Sequence, residues 1–165
     1  MTIQCDTREH KSEWERIKGQ FDTLGVDYIR SKLWVGDYMN LDNPRVVIDR
    51  KKDLQELIGN ITQQHDRFIK ELIRAQEKGI KIIILCEQDG IDELLDVYFW
   101  HNPRLDIADW GIKDGKPCKV RKYPRATTGQ SLYRSMLTMK KRYNVSFEFC
   151  NKDDTGSRIV EILGK

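Results

Sequence analysis

The fold is decided by the stretch from residue 35 to residue 51, which reads VGDYMNLDNPRVVIDRK. Residues 35–40 and 46–51 are short runs containing β-branched and aromatic residues, so each run predicts a strand. Residues 41–45 contain Asp, Asn and Pro, which are typical of a tight turn. The stretch therefore predicts an antiparallel β-hairpin.

The predicted hairpin brings charged side chains together. Side chains alternate between the two faces of a strand, so Asp49 and Lys51 share one face while Arg50 points to the other. If the hairpin turns about Asn43, Asp37 lies directly opposite Asp49 and on the same face, with Cβ atoms about 5 Å apart. Two carboxylates and one lysine then converge.

This convergence favours a bound cation, because two neighbouring carboxylates are costly unless a positive charge compensates them. Mg²⁺ suits such a site, since it usually binds through one or two carboxylates plus waters and phosphate oxygens. Lys51 could orient an attacking water, assist its deprotonation or stabilise the transition state. An exposed hairpin in which Asp49 and Lys51 form a solvated pair is the alternative that the spacing leaves open.

The rest of the chain alternates strand patterns with helix patterns, which is typical of an α/β fold with helices on the sheet faces. Further strands are predicted at residues 2–6, 26–30, 80–86 and 145–150, and helices at residues 12–24, 53–61, 62–78, 91–100, 130–143 and 154–163. Residues 101–129 show no periodic pattern and predict a basic, irregular insertion. At 165 residues the chain is expected to form one domain over residues 1–165.

Composition excludes several classes of protein. Charged residues make up 33% of the chain, and no apolar run approaches the roughly 18 residues needed to span a bilayer, so no membrane association is expected. The N-terminus has neither the basic start nor the apolar segment of a signal peptide, which predicts a cytoplasmic protein. The four cysteines form no CxxC pair, so they predict buried thiols rather than a zinc site.

Basic residues are concentrated in the insertion, although the net charge of the chain is only +3. Between Arg104 and Arg125 there are seven basic residues against three acidic ones, a balance that suits contact with a phosphate backbone. The predicted DNA contacts within it are Lys119, Arg121, Lys122 and Arg125. A merely solvated loop remains an alternative, and Trp110 either stacks on a base or anchors the loop to the core.

Four blocks stand in order along the chain: Asp6-Thr7-Arg8-Glu9, Gly36-Asp37-Tyr38, Val47-Ile48-Asp49-Arg50-Lys51 and Leu57-Ile58-Gly59-Asn60-Ile61. Together they resemble the nuclease domain of the XPF-type structure-specific endonucleases, which belong to the PD-(D/E)XK superfamily. The family hallmark is Gly-Asp, a spacer, Glu-Arg-Lys and a helix directly afterwards. The resemblance covers most of the chain and implies a restriction-endonuclease-like central mixed sheet with helices on both faces.

The resemblance also implies an activity and a cofactor. It suggests an Mg²⁺-dependent endonuclease, with Mn²⁺ as a substitute, that cuts branched or flapped DNA or junctions of single and double strands during repair or recombination. By the same resemblance Asp37 and Asp49 would bind the metal, Asp6 would contact it directly or through water, and Lys51 would be catalytic. A catalytically silent nuclease-fold protein that binds DNA or acts as a scaffold is the alternative.

Supporting roles follow from the same family pattern. Arg50 would support the catalytic residues from the other face of the strand, and its main-chain carbonyl would be a further metal ligand. Arg67, in the following helix, would arrange the site or the substrate backbone. A homodimer formed through the last helices is also implied, with Tyr133, Met136 and Met139 as extra apolar surface there.

The chain departs from the family pattern at three points. Asp49 stands where the family usually has Glu, which shortens the reach of this carboxylate. The link from Lys51 to Leu57 is one residue longer than usual, so Asp53 or Glu56 could take the following acidic position. No helix-hairpin-helix module follows within the sequence, so a stand-alone domain is expected, compatible with a phage or mobile-element protein.

Overall fold

Eight strands and six helices alternate along the computed structural model, which describes residues 1–165. The strands are β1 (Thr2–Cys5), β2 (Asp27–Arg30), β3 (Tyr38–Asn40), β4 (Asn43–Lys51), β5 (Lys81–Glu87), β6 (Ala108–Lys113), β7 (Lys116–Arg121) and β8 (Val145–Cys150). The helices are α1 (Lys11–Leu24), α2 (Leu54–Thr62), α3 (His65–Glu77), α4 (Asp96–Phe99), α5 (Gly129–Arg142) and α6 (Thr155–Leu163). Short 3₁₀ helices lie at Pro103–Asp106 and Lys152–Asp154.

Six of the strands form one mixed sheet in the order β2-β1-β3-β4-β5-β8. Strand β3 is antiparallel to both β1 and β4, whereas β4, β5 and β8 run parallel to one another. Parallel strands need crossover connections, and helices α2 to α5 supply them. The sheet therefore has the mixed α/β character that the sequence predicts.

Each face of the sheet is covered by its own apolar cluster. On one face, α1 and α6 pack against the sheet through residues such as Phe21 and Ile159, which meet Ile48 from β4. On the other face, α2, α3 and α5 pack against alternate residues of the same strands, such as Val47. Helices on both faces are thus confirmed. No helix has both the length and the apolar character required to cross a bilayer.

The β3–β4 hairpin has the predicted register near the charged residues but a different turn. Tyr38 pairs with Ile48 and Met39 with Val47, as a turn about Asn43 requires. Asn40 nevertheless pairs with Asn43, because a β-bulge between Met39 and Asn40 shifts the register. The turn is therefore tighter than predicted, and β4 already begins at Asn43.

The insertion is more regular than the sequence analysis predicted. Strands β6 and β7 form a separate two-stranded antiparallel sheet within residues 101–129. The two residues that connect them, Asp114 and Gly115, both have positive φ angles, of 52° and 74°. An Asp-Gly pair with this geometry is a strong signal for a hairpin. The prediction of an irregular insertion overlooked this signal.

Candidate active site

Gly36 fixes how the chain enters the site. Its φ is +67°, and a Cβ added there would lie 2.3 Å from Cγ1 of Val47 and 2.9 Å from the carbonyl oxygen of Ile48. Only glycine fits this close approach to β4. The next residue, Asp37, donates its main-chain N–H to the carbonyl of Ile48 at 2.8 Å, which ties the acidic residue to the neighbouring strand.

The Asp37 carboxylate occupies the position where regular strand pairing stops. Its Oδ2 accepts the main-chain N–H of Arg50 at 2.8 Å, and Oδ1 has no hydrogen-bond partner within the chain. Burial raises the pKa of this carboxyl well above its ordinary value, and the negative charge of Asp49 adds to the effect while Lys51 opposes it. Asp37 is thus an under-compensated acceptor with one free oxygen.

Asp49 and Lys51 form a buried ion pair at the carboxyl end of β4. The ammonium Nζ lies 2.9 Å from the Asp49 carboxylate, and both residues are 8% exposed. Burial opposes the charge of Lys51, but Asp49 and Asp37 outweigh it and raise the pKa of the ammonium. The side chain also lies over the ring of Phe68, with Nζ 5.7 Å from the ring centroid. Lys51 is therefore held in place by charge and by packing.

All three side chains line one open cavity of about 920 Å³. Only one of its 20 lining residues, Phe68, is hydrophobic, so the cavity suits a charged ligand better than an apolar one. Its rim carries three arginines from different parts of the chain, namely Arg8, Arg67 and Arg104. We call Asp37, Asp49 and Lys51 the floor of the cavity. Carboxylates at the floor and arginines at the rim are an arrangement that can accept a cation together with a phosphate.

The donor set at the floor fits a hard divalent cation. Asp37 offers a free carboxylate oxygen, and Asp49 offers a carboxylate whose one side-chain partner is Lys51. No group of three or more His, Cys, Asp or Glu residues converges on a single point. A cation held here would therefore have to complete its shell with water or phosphate oxygens, which is the habit of Mg²⁺.

Asp6 does not line the cavity with Asp37 and Asp49, and its contact with a metal remains a prediction. It is 1% exposed, and both of its oxygens accept hydrogen bonds. Oδ1 accepts the main-chain N–H and the Nε of Arg8 at 2.7 and 2.8 Å, and Oδ2 accepts Nη2 of Arg8 and the N–H of Leu33 at 2.9 and 2.7 Å. With its acceptors occupied, Asp6 instead fixes Arg8 at the rim.

Arg8 was missed as a site residue by the sequence analysis. Its side chain is 53% exposed, and its pKa is raised mainly by the hydrogen bond to Asp6, with smaller contributions from the charges of Asp37 and Glu71. The signal was present in the sequence, because an Asp commonly accepts the N–H of the residue two positions later in a turn. Asp6 and Arg8 have this spacing.

Arg50 lies on the opposite face of β4, as the alternation of side chains predicts. It is part of a buried ion network in which its guanidinium lies 2.6 Å from Glu9 and 3.1 Å from Glu87. Arg16 from α1 lies 2.5 Å from Glu87 and 2.8 Å from Glu13. Arg50 thus supports the site through its main-chain N–H to Asp37, while its side chain, 3.5 Å from Glu13, ties β4 to α1.

The remaining predicted residues lie apart from the floor. Arg67 is exposed on α3 and lines the cavity. Lys119 and Arg121 lie on β7, and Lys122 and Arg125 follow it; all four are exposed and none lines the cavity.

Asp53 and Glu56, the alternative acidic positions, lie at the cavity but form hydrogen bonds at the start of α2. Asp53 accepts the N–H of Glu56, and Glu56 accepts the N–H of Lys52.

The apolar surface predicted for a homodimer is different in the structure. Met136 is 0% exposed and Met139 is 5% exposed, because both belong to the core beneath α5. Tyr133 is half-buried and packs edge-on against Tyr98. The methionines are therefore not available for a second chain, and the homodimer remains a prediction.

A mixed sheet with helices on both faces, with Asp49 and Lys51 at the end of β4 and Asp37 directly before β3, defines an α/β domain with a restriction-endonuclease-like fold. The family model described as ERCC4 domain matches residues 5–162, so the chain belongs to the ERCC4 domain family.

Solved structures share this fold. XPF from Aeropyrum pernix superimposes with a TM-score of 0.64 and 18% sequence identity over 99% of this chain. XPF from Aeropyrum pernix in complex with DNA gives a TM-score of 0.63, again at 18% identity over 99% of this chain. The chain spans 63% of the length of each of these two structures. A search of curated proteins finds no match.

Proposed function

We propose that this protein is a DNA endonuclease that requires a divalent metal, Mg²⁺ or Mn²⁺ in its place, and cuts branched or flapped DNA during repair or recombination. The family and the XPF fold support the broader class of DNA endonuclease. The observation that carries the proposal is the meeting of Asp37, Asp49 and Lys51 at the floor of one charged cavity.

The rim of the cavity supports DNA as the substrate. Arg8, Arg67 and Arg104 come from three separate parts of the chain and line the same cavity as the carboxylates. Guanidinium groups bind phosphate oxygens in a bidentate manner, so they can hold the strand on both sides of the bond to be cut. The similar XPF of Aeropyrum pernix has been solved in complex with DNA. Residue types and fold thus both support the proposal of a phosphodiester substrate.

In this proposal the residues of the floor have different roles in catalysis. Asp37 and Asp49 would hold the cation, which when bound supplies a water of lowered pKa and offsets charge on the phosphate. Lys51, released in part from Asp49, donates hydrogen bonds to the phosphate oxygens as negative charge develops on them. Arg8 keeps the strand in position because Asp6 fixes its orientation.

The test is cleavage of end-labelled DNA as fork, flap and linear duplex, with Mg²⁺, with Mn²⁺ and with EDTA. We expect metal-dependent cutting of at least one branched form, and its loss in Asp49→Ala. Asp109→Ala is the matched control, because Asp109 is an exposed aspartate on β6, outside the cavity. Absence of metal-dependent cleavage of every form by the wild-type protein would overturn the proposal.

A further inference from the structure

The tip of the insertion exposes large apolar side chains. Trp110 is 72% exposed and Ile112 is 78% exposed, and both lie on β6. Burying a tryptophan is strongly favourable, so leaving one in water at the end of a hairpin is costly unless something covers it. The hairpin thus presents an exposed apolar surface that is suited to binding a ligand.

The strand register assigns these residues to one face. Ala108 pairs with Arg121, Trp110 with Lys119 and Ile112 with Pro117, and directly opposed residues of antiparallel strands point to the same side. We call this set of six residues the hairpin face. It combines apolar and basic side chains and contains no acidic residue.

The reverse side of the hairpin differs in burial. Gly111, Cys118 and Val120 are half-buried there, and Val120 covers Gly111 so closely that a Cβ on the glycine would lie 2.6 Å from it. The acidic residue Asp109 also lies on this side, opposite Val120. The hairpin therefore has two unlike sides, and only the hairpin face is open and free of negative charge.

The base of the hairpin is tied to the active-site cavity. Asn102 is 1% exposed and accepts the side-chain N–H of Gln55, a cavity residue on α2, at 2.5 Å. Its own side-chain N–H donates to the carbonyl of Thr127 at 2.7 Å, so one asparagine holds both ends of the insertion. The insertion cannot move freely away from the site while these bonds hold.

Positive charge continues from the hairpin to the cavity. Arg121 ends β7, and Tyr123 follows two residues later between Lys122 and Arg104, whose charged groups lie 5.8 and 5.7 Å from its ring centroid. Arg104 lines the cavity itself. Basic and aromatic groups therefore lie between the cavity and the hairpin face, where they could contact a strand of nucleic acid that is bound in the cavity.

Resting on the proposed function, we propose that the hairpin face binds the unpaired strand of a DNA junction, with Trp110 stacking on a base and Lys119 and Arg121 contacting the adjoining phosphates. Aromatic groups next to basic ones are the chemistry by which proteins bind single strands without reading sequence. A duplex hides its base faces and offers only phosphates. The hairpin face would thus favour DNA that has lost its pairing beside the cut.

The experiment measures binding without cleavage, by fluorescence anisotropy in EDTA, on labelled oligothymidylate, a splayed fork and a blunt duplex. Trp110→Ala should weaken binding of the first two at least about fivefold and leave the duplex nearly unchanged. Trp110→Phe should retain most of the affinity because it keeps a ring. Lys113→Ala, exposed on the reverse side, is the control, and any loss it causes should be similar on all three DNAs.

Intrinsic fluorescence gives a second readout. Oligothymidylate should quench the tryptophan emission of the wild-type protein, and Trp110→Ala should remove most of the quenching. Equal weakening on duplex and single strand would mean contact with the backbone alone and would overturn the inference. So would unchanged binding by Trp110→Ala, or binding of single strands by neither protein.

Failure of this inference and failure of the proposed function give different results. If the fork is cut with Mg²⁺ but Trp110→Ala binds oligothymidylate like the wild type, the nuclease stands and the hairpin face does not bind strands. If no DNA is cut but Trp110→Ala loses single-strand affinity selectively, the hairpin face binds strands in a protein without turnover.

Discussion

The negative charges of the two carboxylates, Asp37 and Asp49, are compensated unequally by the ammonium of Lys51. One ammonium serves two carboxylates, and it lies within hydrogen-bond distance of Asp49. Asp37 receives one main-chain N–H and keeps an oxygen free, which explains why burial and the neighbouring charge raise its pKa. The residue that lacks compensation is the one most in need of a cation.

The role of Lys51 is tested by Lys51→Met, which keeps the packing against Phe68 but removes the charge. We expect cleavage to slow by about 10²–10³-fold, the usual loss when one donor to a transition state is removed. Mn²⁺ binding by calorimetry should be retained, whereas the thermal midpoint without metal should fall, because the buried Asp49 carboxylate loses its ion-pair partner. Lys52→Met is the control, since Lys52 is the exposed neighbour on the same strand end. Equal losses of activity in both variants would contradict the assignment.

Asp6 is either a ligand of the metal or a residue that positions Arg8. Because its oxygens are occupied by Arg8 and Leu33, we expect Asp6→Asn to weaken DNA binding as much as Arg8→Ala does and to leave Mn²⁺ affinity unchanged. The double variant should be no worse than either single one, as expected for residues that act as a unit. A clear loss of Mn²⁺ affinity in Asp6→Asn would instead make Asp6 a ligand.

At the scale of the elements, the β3–β4 hairpin determines where the carboxylates meet. The left-handed conformation of Gly36 and the contact with β4 bring Asp37 beside the end of that strand. The bulge between Met39 and Asn40 absorbs the tight turn without altering the pairing of Tyr38 with Ile48. The geometry of the site thus depends on one glycine and one bulge.

Gly36→Ala tests this dependence. A side chain in the left-handed region and the overlap with Val47 should together cost about 2–5 kcal/mol of unfolding free energy, which lowers the thermal midpoint by about 5 °C or more. Gly19→Ala, in α1 with open space around it, should instead be stabilising by about 0.5–1 kcal/mol. A thermal midpoint of Gly36→Ala equal to that of the wild type would contradict the account.

Periodicity predicted the elements that bury a whole face, such as β5 and α3, because their apolar pattern follows directly from burial. It failed where local geometry decides. The helix expected over residues 91–100 is reduced to the single turn α4. The insertion contains a hairpin whose turn is formed by the Asp-Gly pair. Met136 and Met139 were misassigned because a long apolar side chain on a helix does not reveal which neighbour covers it.

The candidate site could be predicted in part. Strand alternation and the hairpin register indicated that Asp37, Asp49 and Lys51 face one side, and the structure brings them to one cavity. At the rim, Arg67 was expected from the family pattern, but Arg8 and Arg104 were not identified, since they come from elements that are distant in sequence from the hairpin. The free oxygen of Asp37 and the occupied oxygens of Asp6 depend on individual hydrogen bonds that no pattern specifies.

At the scale of the whole molecule, the two sides of β4 do different work. Asp49 and Lys51 on one side lie in the cavity, whereas Arg50 on the other side, which also lines the cavity, belongs to the ion network that joins β4 to α1, β5 and the start of α6. Thr155, at the start of α6, donates its hydroxyl to Glu87 at 2.7 Å. Breaking one member of such a buried network leaves uncompensated charge, so the network should govern the stability of the sheet centre.

This network predicts a dependence of stability on acid. Burial opposes ionisation of Glu13, but Arg16, Lys152 and Arg50 outweigh it and lower its pKa to about 2. A lowered pKa means that the stabilisation is complete above the ordinary value and is lost as the pH falls towards about 2. Glu13→Gln should therefore be less stable than the wild type at pH 6, and the difference should vanish near pH 2. Urea unfolding across this range measures it, and parallel curves would contradict it.

The central claim is that Asp37 and Asp49 bind the same cation beside Lys51. Anomalous diffraction from crystals soaked in Mn²⁺ tests it most directly, because the metal is located without assuming any activity. We predict an anomalous peak at direct ligand distance from a carboxylate oxygen of each aspartate, and no such peak in crystals of Asp49→Ala. A wild-type crystal with no peak at the cavity floor, or with its peak on Asp6 instead, would contradict the account.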